Sequence, residues 1–515
     1  MLIVSESQQD PYITHTTQGV YANQTGMADQ ITKNPHAIFI PLPLQGHLIP
    51  SVHLAVKLAS KGFTITFINT ESVHHSITNS SSSSNLFEEA CKSGLDIRYA
   101  TVSDGLPVEF DRSLNHDQFM ECLFHVFSAH VDELVGSLVK DDPSIGCLIA
   151  DSFCVWPLMI SKKYKLVNIS FWTEPALVLN LYHHLDLLKK NGHYDPLGIS
   201  RCIQPRCYFF LYKFDDAIDY IPGVGSGSIK PTDLMSYLQA TNTNTILHRI
   251  IHKALFQNTK SADIIICNTI QELEPYTIST LNQTQPFYAI GPIFPNDFTK
   301  ELVSTSLWCE LDCTRWLDNK PPGSVLYVSF GSYAHTSKHV LEEIACGLLQ
   351  SGVSFVWVLR PDLVSSTDTN ALPVGFEDQV KDQGLIVPWC NQKAVISHQS
   401  VGGFLTHCGW NSILESIWCG VPMICLPLLT DQFTNRKLVV DDWKIGINLC
   451  ENLVDREEVT KKVKELMMQE KSNELRTEVK KVKRTLQDAL ATGGSSHRNL
   501  DHFVSQVILK TNQVK

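Results

Sequence analysis

From Asn34 onward the chain repeats one grammar: a short β-branched or aromatic apolar run, then a longer stretch with helical spacing. "HAIFIPL", a helical pattern from about His47 to Ser60, and "FTITFIN" open the series, and "LDIRYATV", "IGCLIAD", "LVNIS" and "ADIIICN" continue it. Strands separated by helices cannot pair as hairpins, so this grammar predicts parallel sheets with helices on both faces. Two prolines and a glycine in "AIGPIFPND" break the pattern at residues 289–297, and a charged, irregular stretch follows to about Asp318. The alternation then restarts with "SVLYVSF", "VSFVWVL", "GLIVP", "VGGFLTH" and "VPMICLP". The expected architecture is α/β, with Rossmann-like domains at 34–290 and 319–490 joined by a linker at 291–318. Residues 491–515 carry the amphipathic pattern of a closing helix. No sequence repeat relates the halves, and a ligand is expected in the cleft where parallel strands present their carboxyl ends.

Composition narrows the function. The 515 residues are 43% hydrophobic, enough for large cores, and the net charge of −11 offers no basic surface to nucleic acid. Fifteen cysteines include no C-x-x-C pair, and the spacings Cys202/Cys207 and Cys309/Cys313 do not suit zinc. The odd count, with no secretory leader and no apolar run of spanning length, points to reduced thiols in the cytoplasm and no integral membrane segment. Residues 1–33 are polar and read as a disordered extension, within which Met27 is an alternative start.

The densest chemistry lies at "THCGWNSILESIWCGVP". The strand "GGFLTH" should turn straight into the helix "SILESIW", which Gly420 and Pro422 stop. Ser412 and Glu415 match the S-x-x-E capping box. A helix N-terminus also offers unpaired N–H groups and partial positive charge, a seat for phosphate, and Gly409 lets the backbone come close. A thiol nucleophile built from His407 and Cys408 is disfavoured, since adjacent strand residues point to opposite faces.

The segment Trp389 to Gln432, "WCNQKAVISHQSVGGFLTHCGWNSILESIWCGVPMICLPLLTDQ", resembles the signature box of plant family 1 UDP-glycosyltransferases. The likeness extends over about residues 34–510, including "SVLYVSFGS" and "SFWTEPALVLNLY"; Asn391 departs from it, where the family often has proline. The resemblance implies the GT-B fold, two Rossmann-like domains facing a central cleft, with residues 491–515 packing back on the first domain, UDP-glucose as donor substrate and neither a metal nor a permanently bound cofactor. It implies that Trp389 stacks on uracil while the Cys390 backbone bonds the base edge. Gln392 and Glu415 would face the ribose, Glu415 serving ribose, cap or both. His407, Asn411, Ser412 and Ser332 would hold the diphosphate; Trp410, Asp431 and Gln432 would surround the hexose, with Thr173 reaching in from the first domain. Glutamine at the last position of the box, here Gln432, accompanies glucose in the family.

His47 follows the first strand directly and Asp151 ends "IGCLIAD", so both belong on one edge of a parallel sheet, where they can meet. Pro50 is then expected in the first turn of its helix, where a missing N–H is harmless. The helix N-terminus is expected to help keep the His47 ring neutral, and an Asp on one ring nitrogen would stabilise the imidazolium formed when the other takes a proton. Family resemblance gives the pair the roles of general base and partner, in an inverting transfer to a hydroxyl of a small hydrophobic acceptor. "DGLPVEF", "SFWTEPALVLNLYHH" and the region of Tyr237 are expected to line the acceptor pocket. Two alternatives remain. A non-catalytic nucleotide-sugar or metabolite-binding protein could keep the same box. An NAD oxidoreductase lacks its G-x-G-x-x-G, since "GVGSGS" at residues 223–228 opens no helix.

Overall fold

Five of the seven strands in the first half are almost wholly buried along their length, as parallel strands covered on both faces must be. The computed structural model describes residues 35–80, 86–194, 217–225, 228–240, 245–295, 298–299, 303, 306–364, 372–449 and 453–514. The extension at 1–33, the Cys202/Cys207 pair and part of "GVGSGS" lie outside them. The first sheet has seven parallel strands: β1 His36–Ile40, β2 Thr64–Thr70, β3 Ile97–Val102, β4 Ile145–Asp151, β5 Val167–Trp172, β6 Ile264–Cys267 and β7 Phe287–Ala289. The second has six: β8 Val325–Ser329, β9 Ser354–Val358, β10 Gly384–Val387, β11 Val401–Thr406, β12 Met423–Cys425 and β13 Gly446–Asn448.

The strand orders are β3-β2-β1-β4-β5-β6-β7 and β10-β9-β8-β11-β12-β13. Each sheet therefore reverses its winding between its first strand and a later neighbour, at β1/β4 and at β8/β11, and such switch points open a crevice at the strands' carboxyl ends. Register fixes what stands there. Ile40 pairs with Ala150, so Asp151 lies one position past the end of β1; Ser329 pairs with Thr406, so Ser332 and His407 leave adjacent strand ends.

Buried apolar side chains run continuously through both halves. The closing helix, Ser495–Val514, buries Leu500, Phe503 and Val507 in the core on the other face of the first sheet. Ser496 donates to the Gly291 carbonyl at 2.5 Å and Asn499 to the Ala289 carbonyl at 2.9 Å, tying that helix to the end of β7. No apolar run of spanning length was expected, yet the helical run His116–Asp141 is long and apolar enough to cross a membrane by length and composition. Here its apolar stripe, Phe119, Met120, Leu123, Phe127, Val131 and Val135, is buried in the core of the first half.

Pro50 departs from expectation. Its helix runs from Gln45 to Ser60, so the proline sits inside it rather than in its first turn. Without an N–H, Pro50 cannot bond the carbonyl four residues earlier, that of Gly46. Asn411 Nδ2, from the second half, donates to that Gly46 carbonyl at 2.7 Å. A local helix defect has become a bond between halves.

Candidate functional site

His47 and Asp151 meet at the β1/β4 crevice. Asp151 accepts from His47 Nδ1 at 2.8 Å through Oδ2 and from the Phe153 backbone N–H at 2.9 Å through Oδ1. An ionised carboxylate only accepts, so Nδ1 carries the ring proton and Nε2 is left as the basic nitrogen. Thr173 Oγ1 lies 2.9 Å from the same Nδ1, and the edge of the ring stands against Phe153, itself stacked on Trp172. These contacts fix the imidazole plane. Burial pushes the His47 pKa down, but the charge and hydrogen bond of Asp151, with the charge of Asp431, outweigh it and hold it above the usual histidine value. The helix N-terminus was expected to help keep the ring neutral; two carboxylates, one from each half, instead shift it toward the charged form.

Across one cavity from His47 stands the helix Trp410–Cys419. Its cap is Gly409, with extended backbone and no side-chain capping bond, and Gly420 closes it in the left-handed conformation. The S-x-x-E capping box is therefore absent: the helix starts one turn earlier than the motif implied, which puts Ser412 and Glu415 inside it. Both are tied instead to Gln392, whose Nε2 donates to Ser412 Oγ at 2.9 Å and to Glu415 Oε2 at 2.7 Å. Asn391 caps the helix Gln392–Ser397, its side chain accepting from Ala394 N–H at 3.0 Å, so the change from proline supplies a cap at that loop.

His407 is enclosed between two glycines, since a Cβ at Gly331 or Gly409 would run into its ring. Burial, then the positive charge of Arg360, lowers its pKa to about 4, so it is neutral at physiological pH. Cys408 is fully buried at φ 67°, a left-handed turn between strand and helix, and its carbonyl accepts from Asn435 at 2.9 Å. Gly331, at φ 73°, needs the same region of backbone space without a side chain. Gly331→Ala is expected to cost about 1–3 kcal/mol through strain and overpacking, and to weaken by about tenfold the binding of the UDP that the signature-box resemblance implies. A thermal melt with calorimetric UDP titration measures both, and an unperturbed protein would show that the loop has room to spare.

The remaining expected residues line the same cavity, but several spend their polar atoms on protein. Trp410 donates its indole N–H to the Asn268 carbonyl at 2.7 Å, so that group bridges the halves rather than reaching a sugar. Asn411 bonds Gly46, as above, and Thr173 lies against His47 instead of standing free. Asp431 accepts from Thr430 Oγ1 at 2.6 Å and Asn435 Nδ2 at 2.5 Å. The Gln432 carbonyl oxygen accepts from the Leu428 and Leu429 N–H groups, both at 2.9 Å, which leaves its amide N–H₂ for a ligand. Trp389 stacks on Trp308 at 5.8 Å, Cys390 is buried behind it, and Ser332 is half-buried on the loop after β8. Tyr237 lines the cavity, whereas "DGLPVEF" does not; Asp104 of that segment is bound by Arg112 at 2.8 Å.

Sequence reasoning missed three contributors. Arg360, 2% exposed, donates to the Gly331 and Ala334 carbonyls and so shapes the loop bearing Ser332; its signal was a charge at the end of a buried strand. Trp308 lies in the irregular stretch and gave none. Glu174 stands inside the apolar run "SFWTEPALVLNLY", whose pattern gives a lone acid no role. Among the described residues there is no group of three or more His, Cys, Asp or Glu side chains placed to hold a metal ion.

The profile of a family described as "UDP-glucoronosyl and UDP-glucosyl transferase" matches residues 310–483. UDP-glycosyltransferase 86A1 of Arabidopsis thaliana is 58% identical over 485 residues, covering 92% of this chain and 95% of its own. The 7-deoxyloganetin glucosyltransferase of Catharanthus roseus is 35% identical, covering 92% and 96%. Among solved structures, Phytolacca americana UGT2, complexed with UDP-2fluoro-glucose and pterostilbene, superimposes with a TM-score of 0.72 at 27% identity, covering 92% of this chain and 99% of that one.

Proposed function

The chain belongs to the plant family 1 UDP-glycosyltransferases, with their GT-B fold, and from that premise we propose that it transfers glucose from UDP-glucose to a hydroxyl of a small hydrophobic acceptor, with inversion. The observation that carries this reading is the His47–Asp151 pair facing the Trp410–Cys419 helix N-terminus across one cavity. Neutral His47 takes the acceptor's proton at Nε2, and the resulting alkoxide attacks the anomeric carbon. UDP leaves on the opposite side, its growing charge met by the first-turn N–H groups and the Ser332 loop. Uracil takes the face of Trp389 not covered by Trp308, with the Cys390 backbone at its edge; Gln392, Ser412 and Glu415 form one bonded group beside the ribose; His407 and Asn411 flank the diphosphate. Asp431 and Gln432 stand beside the hexose. Residues 34–290 then carry the acceptor and residues 319–490 the donor, with 291–318 linking them. Leu42, Met120, Phe153, Tyr237 and Leu247 on the cavity wall support an apolar acceptor. The reading places the reaction in the cytoplasm, where free thiols persist.

The test is UDP release from UDP-glucose with a panel of phenols, and proton NMR of the glycoside, which should show the β-anomer. Failure across a broad panel, with UDP still bound, would favour a non-catalytic nucleotide-sugar-binding protein. Gln432→His should erode the preference for UDP-glucose over UDP-galactose by about tenfold, since it removes the free amide donor and the carbonyl that organises residues 428–429. Unaltered donor kinetics would remove Gln432 from sugar recognition.

A further inference from the structure

Glu174 is a buried carboxyl group at the meeting of the two halves. It follows Thr173 beyond the end of β5, is 8% exposed, and has Oε2 enclosed without a partner. Neither of its oxygens has a hydrogen-bond or ion-pair partner among the described residues. Nearby acids differ. Glu274, equally enclosed, accepts from the Ala176 and Leu177 N–H groups and the Thr269 hydroxyl; Asp151 and Asp431 are likewise satisfied on both oxygens. Leaving a buried carboxyl unpaired costs stability, and beside acids satisfied as Glu274, Asp151 and Asp431 are, Glu174 has no folding reason to be there.

Its position supplies a reason. Glu174 lines the same cavity as His47, Tyr237, Asp431 and Gln432, where the two halves meet. Burial, then the charges of Asp431 and Asp151, push its pKa up from the usual carboxylate range, which favours the protonated form. A neutral carboxyl offers one O–H donor and one carbonyl acceptor side by side, which matches an alcohol, itself donor and acceptor.

We propose that Glu174 is a sugar-specificity residue, its carboxyl binding a hydroxyl of the hexose being transferred. The inference rests on the UDP-glucose reading of this cavity. It explains the unpaired oxygens as a site completed by substrate, and it gives the donor end of the cleft a contact from the acceptor half.

Calorimetric titration of UDP and UDP-glucose into wild type, Glu174→Ala and Glu174→Gln tests it. UDP affinity should be equal in all three. UDP-glucose affinity should fall about tenfold in Glu174→Ala and be largely kept in Glu174→Gln, whose amide also pairs a donor with an acceptor. The ligand-free melting temperature should be unchanged in Glu174→Gln and unchanged or raised in Glu174→Ala, where an unsatisfied buried group has been removed; a purely structural carboxyl predicts a fall in both. The inference is overturned if Glu174→Ala binds UDP-glucose as wild type does, including the case where only the acceptor KM rises, or if UDP and UDP-glucose weaken together. A wild-type protein that binds no UDP would overturn the nucleotide-sugar reading itself, and this inference with it.

Discussion

Replacing His47 with alanine is expected to reduce UDP release from UDP-glucose and acceptor by at least about 10²- to 10⁴-fold, the usual worth of a positioned general base, while UDP affinity changes less than about twofold. The separation follows from the fold. His47 stands on the helix after β1 in the first sheet, whereas the proposed nucleotide seat is built from β8, β11 and the Trp410–Cys419 helix in the second. The bond that joins the two at this point, Asn411 to the Gly46 carbonyl, uses backbone rather than the imidazole and survives the substitution. Alanine is also a good helix former at that position, so the helix should persist. UDP-release kinetics with calorimetry for UDP measure the two quantities on one preparation. Turnover near the wild-type level would remove His47 from its role, and parallel loss of UDP binding would mean that the cleft, not the base, had failed.

Much of this site was legible in the sequence, and the illegible parts share one cause. Strand runs such as "IGCLIAD" and "VGGFLTH" announce themselves because a strand buried on both faces must be apolar throughout. The edge strands β7 and β13, three residues each, carry no period and gave no signal. His47 and Asp151 were each placed at a strand's carboxyl end, and parallel winding alone puts those ends on one edge. That β1 and β4 are neighbours comes from the β1/β4 crossover, which no residue advertises. The S-x-x-E match at Ser412 and Glu415 failed because local pattern cannot tell a cap from a helix already one turn old; the preceding Gly409 had taken that place. Partners across the cleft were out of reach altogether. The Gly46 carbonyl waits for Asn411, Trp410 for Asn268, and His47 feels Asp431 only after two separately wound sheets have met.

Asp151→Asn should be nearly as damaging as loss of the base, and its pH profile should show why. The Phe153 N–H, 2.9 Å from Asp151 Oδ1, needs an acceptor, so the asparagine carbonyl will turn toward it and present its N–H₂ to His47. Nδ1 must then accept, and the ring proton moves to Nε2, the nitrogen that should take the acceptor's proton. In hydrolytic triads the same tautomer error costs about 10⁴-fold, and a loss of about 10²- to 10⁴-fold in kcat is expected here. The acid limb of the kcat/KM profile reports the free-enzyme base. In wild type the His47 pKa is raised, so activity is lost as pH falls through a value above the ordinary histidine pKa. Removing the Asp151 charge leaves burial as the dominant influence, opposed only by Asp431, so the limb should move to lower pH even as the plateau drops. A depressed plateau with an unmoved limb would mean that Asp151 orients the ring without setting its basicity. An unchanged plateau would separate Asp151 from catalysis entirely, and the base would have to be held by Thr173 alone.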